Sequence, residues 1–250
     1  MGQIRVKNRD FFITPTLLQA HQNQLEPGDI LLERRNWFAT NVGIPGFWPH
    51  AALYIGELTE MDAVFKDLPI LSNTTASAYL ETRFPAIVEK MKGRHEDGFP
   101  IRVIEARRPG VIFNSLETSA HADCLAVLRP RVSLADRFNA ILAALRNHGK
   151  PYDFNFDFAT DQELVCSELV YKAYEGTEGF NIRPVVINGR TLLPPNNFAE
   201  TFARQFETPE QSFDLILFLD SDENTGRSEP RDVDTFLESW NRPKWYILTQ

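Results

Sequence analysis

The sequence predicts an α+β domain, and three observations carry that prediction. Helical and strand patterns succeed one another without the strict alternation of a doubly wound sheet. Ile101 to Ala106 alternates apolar and polar residues, the period of a half-buried strand. Ser133 to His148 places Phe138, Ile141, Leu142 and Leu145 on one helical face, between a capping-box pair (Ser133, Asp136) and the stop residue Gly149.

The other elements follow in chain order. Thr14 to Leu25 has helical spacing, and Pro27-Gly28-Asp29 turns the chain into the short apolar strand Ile30-Leu31-Leu32. Residues 36–49, rich in aromatic residues, Gly and Pro, read as an irregular loop before a strand from Ala51 to Ile55. Residues 57–99 read as an insertion holding one helix from about Ser77 to Lys92, closed by the polar turn Gly93 to Gly98. Val111 to Phe113 and Cys124 to Leu128 are two further strands. A helix is expected over roughly Glu163 to Tyr174, ending at Gly176. Val185 to Ile187, Asn188-Gly189 and Thr191 to Leu193 have the pattern of a β-hairpin. Asn197 with Glu200 is positioned to cap a helix to about Phe206, and Phe213 to Leu219 is an apolar strand. Ser221 to Asp234 is polar and charged, and reads as a mobile linker to a short terminal helix and the closing segment Lys244 to Leu248. The expected organisation is one domain over 1–220 and a polar linker with a terminal segment over 221–250.

Composition narrows the function. At 43% hydrophobic and 24% charged the chain has no collagen, coiled-coil or disordered bias. A net charge of −8 gives no general affinity for nucleic acid or anionic lipid. No run of about 18 apolar residues is present, so no stable membrane insertion is expected. The basic start has no apolar region behind it, and Val6 stands where a myristoylation motif needs Ser or Thr. The expectation is a cytoplasmic protein; one exported without a signal would look the same. The spacing of Cys124 and Cys166 matches no metal motif, Asp153 to Asp157 lacks the Gly and Glu of a calcium loop, and no phosphate loop occurs. No cofactor or metal is expected, and the partner would be a small-molecule, peptide or lipid substrate.

Two segments carry the chemistry. His50 opens the strand His50-Ala51-Ala52-Leu53-Tyr54, and Cys166 lies near the start of the helix Leu164 to Tyr171. An imidazole beside a thiol converts a weak nucleophile into thiolate. Cys166 also fits a buried core position, and a cap at Thr160 with Glu163 would place it more than a turn inside the helix. His50 faces a cleft or serves as a hydrogen-bonded structural histidine. Glu105, on the next strand, would fix the imidazole tautomer or else face solvent. Tyr152 is a candidate oxyanion donor or a turn residue. Trp37, Phe38, Phe47 and Trp48 form either an apolar substrate groove or core. His21, His95, His121 and His148 are weak catalytic candidates.

Together, Pro27-Gly28-Asp29-Ile30-Leu31-Leu32, His50 to Gly56, Val103-Ile104-Glu105-Ala106, Gly149-Lys150-Pro151-Tyr152-Asp153 and Val165 to Val170 resemble the permuted papain-like family typified by YiiX, a relative of NlpC-type peptidases and lecithin retinol acyltransferase. The order His50, Glu105, Cys166 is that of the circularly permuted branch. The resemblance implies an antiparallel sheet or small barrel packed on the helix bearing the cysteine. It also implies Cys166 as nucleophile, His50 as base and acid, Glu105 as its orienter and Tyr152 beside the oxyanion. The activity implied is cysteine-dependent amide hydrolysis of a peptide, murein fragment or acyl-amino compound. Lipid acyl hydrolysis or transfer is the second reading, and a non-catalytic binding module the third.

Overall fold

The computed structural model describes residues 9–38, 44–152, 165–187 and 189–244. Thr14 caps α1 (Pro15–His21) by accepting the Leu17 N–H at 3.2 Å, with Pro15 in the first turn where its missing N–H leaves nothing unpaired. The apolar segments become β1 (Ile30–Arg34) and β2 (His50–Tyr54).

Three helices form within the insertion: α2 (Leu58–Phe65), α3 (Ala76–Arg83) and α4 (Pro85–Met91). The single helix expected from about 77 to 92 is two. Pro85 has no N–H for the α3 ladder, so Phe84 leaves helical geometry (φ −136°, ψ 52°) and the proline starts the next helix. The unanticipated α2 is held by Met61 and Phe65, four residues apart and both fully buried. The Phe65 ring lies 5.1 Å from that of Phe138.

Next come β3 (Ile101–Arg107), β4 (Gly110–Ser115), α5 (Leu116–Ser119), β5 (Cys124–Pro130), α6 (Leu134–Arg146) and α7 (Cys166–Tyr174). Ser133 caps α6 as its sequence implies, accepting the Asp136 N–H at 3.1 Å. The hairpin β6 (Val185–Ile187) and β7 (Arg190–Leu192) pairs Val185 with Leu192. After it come α8 (Asn196–Gln205), β8 (Phe213–Asp222), β9 (Arg227–Pro230) and α9 (Val233–Leu237). Helix α8 starts at Asn196 without the Asn197–Glu200 cap.

Seven strands form one antiparallel sheet in the order β4-β3-β2-β1-β5-β8-β9, so the described strands make an open sheet rather than a barrel. Its central strands are covered on both faces and therefore read as apolar runs. Ile30, Leu32, Ala51, Leu53, Ile104, Ala126 and Leu128 join the main core with α2, α3, α6, α7 and α8. The alternate residues Leu31, Ala52, Tyr54, Val103, Leu125 and Val127 join a smaller core under α1 and α5. Each large apolar side chain so buried contributes about 1.5–3 kcal/mol.

Residues 221–234, expected as a mobile linker, instead complete the sheet edge. Ser221 pairs with Ser228, whose hydroxyl donates to the Asp123 carbonyl. Asp232 then caps α9, which buries Phe236 against Trp48 and Phe218. A short, charged, Pro-ended strand suits an exposed edge, which is why its composition resembled a linker.

Candidate active site

Phe47-Trp48-Pro49 delivers the chain to His50. The Asn196 side chain fixes this approach, accepting the N–H groups of Phe47 and Trp48 at 2.9 and 3.1 Å and donating to the Trp240 carbonyl at 3.0 Å. Gly46 has φ +84° and lies so close to Asn196 that a Cβ would stand 2.2 Å from its Cγ, so only glycine fits. Phe47 and Trp48 are fully buried, and the Trp48 indole N–H donates to Ser239 at 3.0 Å. These two are core, not a substrate groove. Trp37 donates to Glu223 at 2.9 Å, and Phe38 stacks on Phe11.

Helix α7 begins at Cys166. Val165 is extended (φ −90°, ψ 165°), so the helix does not run back through it, and Thr160 and Glu163 lie outside the described residues. The Glu168 carboxylate accepts the Val165 N–H at 3.4 Å and pairs with Lys172 at 3.1 Å. Of the α7 N–H groups that of Ser167 acts on the sulfur, and the partial positive charge of a helix start favours thiolate.

The fold brings Cys166, His50 and Glu105 together. His50 is at the mouth of β2, with 18% of its side chain exposed, and its Nε2 lies 2.5 Å from Glu105 Oε2. That leaves Nδ1 for the side of Cys166, whose thiol lies close enough to the ring for each group to favour the charged form of the other. Glu105 is fully buried; its Oε1 accepts from the Asn114 amide on β4 and lies 3.5 Å from Arg107.

The ionisation states follow from this geometry. Burial pulls the His50 imidazole down, but Cys166 and Glu105 overcome it and hold it at about 10, against an ordinary 6.5. Burial pushes the Cys166 thiol up; the charge and hydrogen bond of His50, with the N–H groups of Ala51 and Ser167, bring it below its ordinary value. For Glu105 burial also opposes ionisation, yet His50, Arg107 and Asn114 hold it at about 2. Each member of the pair thus favours the charged form of the other, Cys166 toward thiolate and His50 toward imidazolium.

Tyr152 lies after a bridge between Gly110 and Pro151; its N–H donates to the Pro109 carbonyl at 3.1 Å and its ring packs half-buried on the main core. Residues 153–164, which separate it from α7 in sequence, lie outside the described residues. The other histidines are engaged elsewhere. His148 stacks on Phe113, His121 meets the edge of Phe11, His95 pairs with Asp97 and His21 faces Gln24.

Sequence reasoning missed Glu33 and Asn114. Glu33 is directly opposite His50 in the β1–β2 register and fully buried. A charged residue continuing the apolar run Ile30-Leu31-Leu32 was the signal that could have found it. Glu33, His50 and Glu105 each bring a donor atom within 4.8 Å of the others, the one group of metal-type ligands among the described residues. Ser119, Arg35 and Asn114 already donate to those carboxylates, the pattern of a hydrogen-bonded ion cluster rather than a prepared cation cage. Among the described residues no helix is long and apolar enough to cross a membrane.

Residues 24–223 match the model of the permuted papain-like amidase enzymes, the YaeF/YiiX C92 family. The chain belongs to this family. No curated protein matches it. Among solved structures it is similar to the crystal structure of metalloprotein YiiX from Escherichia coli O157:H7, with 19% identity and a TM-score of 0.42 over 77% of this chain and 89% of that one.

Proposed function

We propose that this member of the permuted papain-like amidase family hydrolyses amide bonds through a thioester on Cys166. The single observation that supports this is the convergence of three groups at one point: His50 hydrogen-bonded to buried Glu105 at 2.5 Å, with the Cys166 thiol close enough to the same ring to be drawn toward ionisation by it. In the proposed reaction the Cys166 thiolate attacks the amide carbonyl carbon, forming the C–S bond and an oxyanion. The His50 imidazolium gives its proton to the leaving nitrogen as the C–N bond breaks, and the amine departs. Neutral His50 then takes a proton from water, which attacks the thioester and releases the carboxylic acid, restoring the thiolate. Glu105 keeps the proton of the neutral imidazole on Nε2, so that Nδ1 faces the chemistry in both steps. Backbone N–H groups at the start of α7 would stabilise the oxyanion, and Tyr152 is proposed as a further donor. The substrate class is a peptide, murein fragment or acyl-amino compound.

Mass spectrometry tests this directly. Incubation with muropeptides, peptides or a lipid extract should leave a peptide-type acyl mass on Cys166, absent in His50→Ala. Cys166→Ser should fold and fail to turn over. A fatty-acyl adduct would move the assignment to lipid acyl transfer. Full activity in either variant would end the proposal.

A further inference from the structure

Glu33 is a buried carboxylate that this chemistry leaves unused. Antiparallel partners directly across a ladder carry their side chains on the same face, so Glu33 on β1 stands beside His50 on β2. It is 1% exposed. Ser119, from α5, donates its hydroxyl to Glu33 Oε1 at 2.5 Å, and the Arg35 guanidinium lies 3.5 Å from Oε2. A neutral amide would satisfy the Ser119 donor equally well. What a glutamine would not supply is charge, and a second buried carboxylate within 4.8 Å of Glu105 and His50 is costly unless that charge is used.

We propose that Glu33 is a second positioning carboxylate of this centre, whose charge joins that of Glu105 in holding His50 as imidazolium and thereby Cys166 as thiolate. The inference rests on the Cys166–His50 pairing proposed above. The charged and titratable groups around the ring are Glu33 on β1, Arg35 just beyond it, Glu105 and Arg107 on β3, and Cys166 on α7. Ser119 and Asn114 are the neutral donors. Burial raises the proton affinity of Glu33 and Glu105 adds to this, against His50, Arg35 and Ser119. Its charge therefore appears at higher pH than that of Glu105, so the two carboxylates act in sequence as the solution becomes less acid.

The test is an NMR titration of ¹³C-histidine in the full-length chain, with the His50 resonance assigned by its loss in His50→Gln. Glu33→Gln keeps an acceptor for Ser119 and removes the charge. The His50 midpoint should fall by about 1 unit or more, the size of effect a charge within 4–6 Å exerts. Glu33→Ala should do the same, and Glu33→Asp should stay nearer the unmutated protein. An unchanged midpoint in the neutral variants, or equal effects of Gln and Asp, would overturn the proposal. A check without substitution follows the glutamate carboxyl carbons: the Glu33 carbon must respond as His50 loses its proton, and silence through that step also overturns it. Cys166→Ser separates the two readings. A His50 midpoint lowered in Glu33→Gln but unmoved in Cys166→Ser overturns the cysteine pairing and leaves the part of Glu33 standing. The reverse result overturns Glu33 alone.

Discussion

Replacing Glu105 with glutamine changes one atom type at the most buried point of the site. Folding holds this carboxyl at about 2 against an ordinary 4.5, in spite of burial, because His50, Arg107 and Asn114 favour the ion. That difference corresponds to about 3 kcal/mol. A glutamine in the same place either turns an N–H toward His50 Nε2, driving the ring proton onto Nδ1, or turns it toward the Asn114 amide, setting two donors face to face. In both cases the negative charge is gone. The thiolate–imidazolium pair should lose about two orders of magnitude in population at neutral pH. The assay is iodoacetamide alkylation of the Cys166 peptide followed by mass spectrometry, with Cys124, buried and raised to about 12, as the internal slow thiol. The variant should alkylate about 100-fold more slowly at neutral pH and recover only as the solution approaches ordinary thiol ionisation. A folded Glu105→Gln protein that alkylates as fast as the unmutated chain would refute the reasoning, since the carboxylate would then contribute nothing to the pair.

Other predictions concern stability and pH. Asn196→Ala strips partners from two buried N–H groups and a carbonyl, so urea unfolding should show a loss of about 3 kcal/mol, together with slower Cys166 alkylation because the approach to His50 loosens. Phe65→Ala empties a fully buried site against Phe138 and should cost about 3–5 kcal/mol by the same measurement; a loss below about 1 kcal/mol would mean that α2 is not part of the core. His50 is raised from 6.5 to about 10 by folding, so its proton stabilises the fold fully below 6.5, and that contribution fades as pH climbs toward about 10. The stability gap between the unmutated chain and His50→Gln should shrink across that window in urea midpoints taken at successive pH values. Glu105 has the opposite sign: its contribution is present above 4.5 and is lost as pH falls toward about 2, which acid unfolding of Glu105→Gln beside the unmutated chain should reveal.

The sequence by itself determined many of the local elements and nominated the candidate reacting groups. Period-two and apolar runs marked the strands, Ser133 and Gly149 bounded α6, and a histidine at a strand mouth with a cysteine near a helix start suggested the chemistry proposed above, because these signals depend only on neighbours a few residues away. It also erred where local signals conflicted with a partner elsewhere. Pro85 split a helix that periodicity joined, and residues 221–234 looked like a linker because an exposed edge strand gains its order from β8. Only tertiary structure could decide that Phe47 and Trp48 are core, or that Asn196 holds the chain on the approach to His50. Only cross-strand register could set Glu33 against the imidazole, with Asn114 on the far side of Glu105. A charge in a sequence carries no label for burial; its energy depends on which charges the sheet places around it, and those come from strands as much as 72 residues apart, as Glu33 and Glu105 show.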